Sequence, residues 1–429
     1  MTNEELRAYL ETKKDSIERL KVLPRDLTIS PTPEFITSII GPRRAGKTYS
    51  MYYLIKKNQL DPSDFIFLNF EDIGIDNTDA KIIERSIAQH AYLYGKEPKW
   101  IFLDEIHNLQ DWQRAVYTIY ERKTYKIVIS GSTSKLTSRE MASYLRGRSL
   151  SVPVFPFSFK EILNIHEFQK RDLYSLSRKP QIMRLFERYL QNGGFPQIWL
   201  EEDVNPLVFF QNYVETIVFK DIVERYRIKN PQIFRSLLPI LASSNAKEIS
   251  IKKLYHTFES KGFKLSKSSF YNYTYYLEEI FVIYLLRKLR FSERESQLSV
   301  PKLYFLDTGL VNYLHSTSYS SNFGRSLETV VFVELLKKKL YGEIFGLFYW
   351  KNLTGEIDFL IKKTPGKVSD VIQVTDVTSR EELEDRELRM LAKSQKIFPE
   401  AKKLIITRDF TGEINGIECV SILNWLLSL

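Results

Sequence analysis

The hydrophobic pattern of this chain changes period several times, and the changes divide it. Residues 3–22 set Leu6, Leu10, Ile17 and Leu20 on one helical stripe. A β-branched run, ITSII at 36–40, stops abruptly at Gly41, and residues 49–57, free of Gly and Pro, read as the start of a helix. Further strands are expected at 64–70 (DFIFLNF), 100–104 (WIFLD) and 126–130 (KIVIS), with a helix over 78–93. Short apolar runs alternating with helical stretches predict an α/β domain built on a parallel sheet. After a β-rich segment at 149–155 the texture changes. Pro156-Phe157-Ser158-Phe159 leads into an aromatic-rich helical region, 160–226, interrupted by Gly193-Gly194-Phe195-Pro196.

Two later blocks follow. Residues 230–316 read as a winged helix: an apolar-periodic segment at 234–241, helices at 250–260 and 266–279, and wing strands at 281–291 and 301–306. The remainder reads as another α/β unit, with a helix carrying Glu328 and Glu334 and strands at 348–350, 356–361 and 370–376. The expected division is an N-terminal helix plus nucleotide domain (1–155), a helical lid or linker (156–229), a winged helix (230–316) and a restriction-endonuclease-like domain (317–429).

A length of 429 residues agrees with two or three domains. The single cysteine, Cys419, excludes an internal disulfide and a Cys-based zinc site. The N-terminus is charged and lacks a signal-peptide apolar core, and no apolar run approaches the ~20 residues of a membrane span. A cytoplasmic location and no membrane association are therefore expected. The net charge of +9 favours an acidic partner such as nucleic acid.

The chemistry concentrates at Gly41-Pro42-Arg43-Arg44-Ala45-Gly46-Lys47-Thr48, which fits G-x-x-x-x-G-K-[ST] between a strand and a helix. Such a loop points successive backbone N–H groups into one concavity, and the helix behind it adds a positive dipole end. Lys47 is expected to reach the β- and γ-phosphates and Thr48 to ligate Mg²⁺, with residues 41–49, including Tyr49, around the nucleotide. The strand at 100–104 ends in Asp104-Glu105, so Asp104 is expected to hold the Mg²⁺ water shell and Glu105 to polarise the attacking water. Ser132, with Thr133 second, is the expected γ-phosphate sensor, and Arg148, ahead of Arg146, the candidate arginine finger from a neighbouring subunit. No N-K-x-D motif follows, which disfavours GTP, and the chain holds one phosphate loop, hence one nucleotide site.

In the middle block, Lys252, Lys253, Lys264, Lys267, Ser268, Tyr271 and Arg287 suit DNA phosphate and groove contacts, and residues 245–290 carry nine Lys and Arg against four acids. In the last block, Asp358 stands where a nuclease metal acid belongs and Glu328 suits the helix acid. The E-x-K positions, however, read Gln373-Val374-Thr375, which predicts an inactive remnant unless Lys362 or Lys363 substitutes.

The stretches GPRRAGKT (41–48), FLDEIHNLQDW (102–112), ISGSTSKL (129–136), LRGRS (145–149), NGGFP (192–196), KDIVERYRI (220–228), PKLYFLDTGL (301–310) and YWKNLTGEIDFLI (349–361) together resemble one family. These are archaeal and bacterial AAA-type ATPases that fuse a P-loop domain, a winged helix and a C-terminal restriction-endonuclease-like domain. The resemblance implies ATP binding and hydrolysis, with Lys47, Thr48, Asp104 and Glu105 in the motif positions, and a homo-oligomer, a hexameric ring among its forms, with shared sites. The expected function is an ATPase that binds, moves on or remodels DNA. An ATP-controlled switch acting on a protein partner, and an ATP-driven nuclease, are the alternatives.

Overall fold

The computed structural model describes residues 1–429 except 28, 132–146, 229, 291, 316–322, 354, 384 and 429; the side chains of 293 and 385–387 are likewise outside the description. The chain divides into two compact units, Met1–Phe155 and Pro156–Leu429.

The first unit opens with α1 (Asn3–Arg19), where Thr2 and Glu5 form a reciprocal capping box. Its buried stripe is Leu6, Leu10, Lys14 and Ile17, so a lysine takes a place that periodicity alone assigns to an apolar residue. The strands β1 (Ile36–Ile40), β2 (Phe65–Asn69), β3 (Trp100–Asp104), β4 (Lys126–Ser130) and β5 (Ser149–Pro153) form one sheet in the order β2-β3-β4-β1-β5. Every pairing in it is parallel. Helices α2 (Lys47–Lys57), α3 (Ile82–Tyr94) and α4 (Trp112–Tyr120) provide crossovers. Burial of every residue of β1 and β3 is what a sheet covered on both faces demands of its central strands.

The second unit begins with helices α5 (Phe159–Ile165), α6 (Lys179–Asn192), α7 (Pro196–Leu200) and α8 (Pro206–Thr216), the last running into a wide helical turn at Ile217–Glu224. The break between α6 and α7 is set by close approach. A Cβ on Gly193 would lie 2.1 Å from an Asp307 oxygen, and one on Gly194 would lie 2.2 Å from the Phe157 carbonyl. Asp307 fills that space, accepting bonds from the backbone N–H of Gly194 (2.8 Å) and Leu310 (3.0 Å).

Next come α9 (Gln232–Ser243), β6 (Lys247–Glu248), α10 (Ile251–Ser260), α11 (Lys267–Glu279), β7 (Ile283–Leu286), α12 (Glu293–Leu298) and β8 (Lys302–Phe305). The three strands pair antiparallel in the order β6-β8-β7. The strand expected over 281–291 is shorter than its apolar pattern: it ends at Leu286, and Ser292 caps α12 further on. Then follow α13 (Thr308–Leu314) and α14 (Phe323–Leu340), the latter carrying Glu328 and Glu334.

The final strands are β9 (Gly346–Asn352), β10 (Gly355–Lys362), β11 (Asp370–Val374), β12 (Lys402–Thr407), β13 (Gly412–Ile414) and β14 (Ile417–Ser421), with α15 (Asp385–Ile397) and α16 (Ile422–Leu426). They form a six-stranded mixed sheet in the order β13-β14-β12-β11-β10-β9. Its core joins Ile357, Leu360, Val371, Leu391, Ile405 and Cys419.

Candidate functional site

In a parallel sheet, groups at the carboxyl ends of neighbouring strands converge on one edge. Here that edge collects Gly41 after β1, Asp104 ending β3 and Ser130 ending β4. Gly41 has φ +146°, and a Cβ there would sit 2.0 Å from the Val154 carbonyl oxygen. Gly46, at φ +92°, is the residue before α2 and needs the left-handed region to aim the helix N-terminus at the loop's concavity.

Lys47 is buried and its Nζ donates to the carbonyls of Gly41 (3.3 Å) and Pro42 (3.1 Å), so its ammonium lies over the loop. Thr48 Oγ1 donates to Asp104 Oδ2 at 2.8 Å. Ser130 Oγ donates to the other carboxylate oxygen, Oδ1, and accepts the Glu105 N–H at 3.1 Å. Burial pushes the Asp104 pKa up to about 6, aided by the Glu105 charge and opposed by the Ser130 and Thr48 hydrogen bonds and by Lys47. Glu105 itself takes φ +48°, and its Oε2 lies 3.3 Å from His107 Nδ1. Arg43 and Arg44 belong to the same loop, Arg44 with φ +63°; Ala45 is buried, and Tyr49 is half exposed on α2. A hydroxyl and a carboxylate at hydrogen-bond distance are hard oxygen donors of the kind Mg²⁺ prefers, so the residues fit that ion together with nucleotide phosphates.

Sequence reasoning missed two residues here. Arg25, in the segment ahead of β1, is buried and donates to the carbonyls of Ala45 (3.0 Å) and Phe155 (2.7 Å), bracing the loop from behind. Ser130 was hidden because KIVIS reads as an ordinary strand end, while the more polar GSTS that follows drew attention. The expected sensor Ser132, its runner-up Thr133 and the arginine Arg146 lie outside the described residues. Arg148 precedes β5, which runs parallel to β1, so it sits a strand's length, roughly 17 Å at about 3.3 Å per residue, from the loop edge. Its guanidinium donates to Tyr117 Oη (2.7 Å) and to Glu121 (2.6 Å). That placement leaves it no part in its own chain's loop.

In the second unit, Lys252 and Lys253 on α10, Lys264 in the following turn, Lys267, Ser268 and Tyr271 on α11, and Arg287 after β7 are all exposed. None of these cations pairs with a carboxylate of the described residues.

The nuclease-like positions come together with an addition. Lys302, buried at the start of β8, places its Nζ 2.6 Å from Glu328 Oε1, 2.6 Å from Glu356 Oε1 and 3.2 Å from Asp358 Oδ1. Tyr304 Oη donates to Glu328 at 2.5 Å, and the Val374 N–H donates to Asp358 at 2.9 Å. Burial works against the Lys302 charge, yet Glu328, Tyr304, Asp358 and Glu356 hold its pKa well above the ordinary lysine value. Burial also raises both Glu328 and Asp358, with Lys302 opposing. Gln373 and Thr375 lie on and just beyond β11, beside Asp358, with Gln373 Oε1 buried and unbonded among the described residues. The lysines expected to substitute are elsewhere: Lys363 pairs with Asp370 at 3.0 Å, and Lys362 lies over the Phe348 ring. Lys302 escaped sequence reasoning because it comes from a strand more than fifty residues before Asp358.

A parallel five-stranded sheet with a phosphate loop after β1 and a carboxylate ending β3 defines a P-loop domain of the AAA type. A family profile described as an AAA domain matches residues 34–163, and a second, described as a domain of unknown function, matches 183–321. The chain belongs to the family of an uncharacterized protein of Methanocaldococcus jannaschii, 36% identical over 370 residues that cover 85% of this chain and 81% of the relative. An uncharacterized protein of Haemophilus influenzae is 26% identical over 400 residues, covering 92% of this chain and 94% of its own. Among solved structures, AMPPCP-bound DnaA from Aquifex aeolicus is similar at 15% identity and a TM-score of 0.23, covering 65% of this chain and 89% of that one. Drosophila ORC bound to AT-rich DNA and Cdc6 follows at 9% identity and a TM-score of 0.20, with 74% and 93% covered. At those TM-scores neither likeness bears on function here. Among the described residues, no helix is long and apolar enough to cross a membrane.

Proposed function

We propose that this chain is an ATPase, hydrolysing ATP at the loop edge of its first unit and using unit two to hold DNA. The observation that carries the first half is the Thr48–Asp104 hydrogen bond beside a phosphate loop. In this reading the loop N–H groups and Lys47 hold the triphosphate, Thr48 and Asp104 hold Mg²⁺, and Glu105 polarises water from the adjacent position. Mg²⁺ would supply neutralisation of charge on the phosphate oxygens. Ser130 keeps the Asp104 carboxylate aimed, the place at which a strand-tip polar residue can also register the γ-phosphate.

The DNA half rests on α9, α10 and α11 with a small antiparallel sheet whose strand β6 follows α9 and whose strands β7 and β8 follow α11, the order of a winged helix, and on the exposed lysines around α11. We read the six-stranded unit as nuclease-like in layout and inactive, since Lys302 already takes up the carboxylates that a metal would need. Assembly as a homo-oligomeric ring, with Arg146 or Arg148 delivered between subunits, belongs to the same proposal.

Turnover measured with and without duplex, forked and junction DNA tests it. Glu105→Gln should abolish turnover while nucleotide still binds, and DNA should raise wild-type turnover in a salt-sensitive way. Turnover indifferent to every DNA, with nucleotide-dependent assembly, would replace the DNA reading by that of a switch acting on a protein.

A further inference from the structure

Helix α11 has two faces of different chemistry. Phe270, Tyr273, Thr274 and Leu277 are buried, Tyr273 against Phe234, and Tyr276 stacks on Tyr226 with centroids 3.5 Å apart. The opposite face presents Lys267, Tyr271 and Tyr275 at a four-residue spacing, with Ser268 and Asn272 alongside. Both outward tyrosines are 42% exposed, although two others on the same helix are used for packing. Lys264 and Lys267 flank the start of this stripe, exposed and outside any ion pair with a described residue. Of the neighbouring acids, Glu279 follows Tyr275 by four residues at the far end of this stripe, and two others are held in hydrogen bonds. Glu278 accepts the Leu285 N–H at 2.8 Å, and Glu259 is held by His256 (3.1 Å) and Tyr255 (2.9 Å).

Residues four apart on a helix rise about 6 Å, roughly twice the 3.4 Å base repeat of a strand. Two rings so spaced leave room for one base between them, with lysines one turn away for the phosphates. That is a stacking platform beside a cationic track, and stacking needs a base whose face is free. Duplex edges are read instead by Arg, Lys, Asn and Gln, and this face offers one of those in reach of the rings, Asn272, besides the phosphate-directed lysines. Resting on the DNA reading above, we propose that the Lys267–Tyr271–Tyr275 face of α11 binds single-stranded DNA, with Tyr271 and Tyr275 stacking on bases.

The test is fluorescence anisotropy of the full chain with labelled oligothymidine and with a duplex of equal length, compared at each step of one salt series. Oligothymidine is expected to bind at least about tenfold tighter. Tyr271→Ala, and the double change with Tyr275→Ala, should weaken it about tenfold or more per ring while leaving duplex binding within about threefold. Tyr271→Phe should keep the affinity, since the ring and not the hydroxyl acts, and unchanged thermal melting of all variants shows that folding is intact. Lys264→Ala with Lys267→Ala should lower affinity for both DNAs and flatten the salt dependence. Duplex bound as tightly as single strand, with the tyrosine variants silent, overturns this inference and leaves the DNA reading standing. Binding of neither DNA at low salt overturns both and makes the face a protein contact.

Discussion

The Thr48 hydroxyl at the start of α2 donates to Asp104 at the end of β3 across 2.8 Å, and Ser130 from β4 holds the second oxygen of the same carboxylate. Three elements far apart in sequence thus meet on one side chain. Glu105, one residue on, should then be separable from binding. Glu105→Gln is expected to lower ATP turnover by about 10²-fold or more with nucleotide affinity changed little, read by phosphate release beside equilibrium binding of a fluorescent nucleotide.

Asp104 makes the nucleotide-free protein pH-sensitive. Its folded pKa, pushed up to about 6, exceeds the unfolded value near 3.8, so the folded state binds more protons between the two. Stability from this group is full below about pH 4 and is lost as pH rises through 6. Asp104→Asn should therefore be more stable than wild type at pH 7 to 8, by up to about 2–3 kcal/mol, with the difference closing toward pH 4. Urea midpoints across that range measure it, and the same variant should lose Mg²⁺-dependent turnover.

Arg25 supports the loop by donating to the Ala45 and Phe155 carbonyls. Arg25→Met should remove the guanidinium donor from two carbonyls, costing about 2–4 kcal/mol, and should weaken ATP binding although Arg25 braces the loop from behind. Denaturant midpoints and nucleotide titration give the two halves of this expectation.

Lys302 is opposed by three carboxylates, two of them well buried. Lys302→Met removes the compensating charge and should cost about 3–5 kcal/mol near neutral pH. Because Glu328 and Asp358 then titrate above their unfolded values, the folded state takes up protons and the loss should shrink as pH falls toward 5. A melting series from pH 8 to 5 decides this, and a pH-independent deficit would contradict the charge argument.

The parallel sheet and its loop were legible because β1 and β3 are short apolar runs stopped by Gly41 and Asp104, local signals that need no partner to be read. Lys14 was not legible. It occupies a core position of α1 because His90 Nδ1 at 3.2 Å and the Tyr94 ring at 4.0 Å receive its ammonium, and burial lowers its pKa to about 8. Lys302 was invisible for the same reason, since its carboxylates come from α14 and β10. Arg25 sits in a stretch without periodicity. Each of these is a long-range polar contact, and hydrophobic period carries no information about which distant charge will answer a buried one.

Lys302 also has a mechanical consequence. It belongs to β8, the middle strand of the small three-stranded sheet, and its ammonium grips a helix and a strand of the larger sheet's layer. A pull applied at α11 would pass through β7 and β8 into two joints with the six-stranded sheet, that ionic rivet and the backbone bonds that Tyr349 of β9 makes with Arg287 and Leu289. A cluster of charges would then serve as a mechanical joint, stiff because the Lys302 ammonium at its centre is almost wholly shielded from water.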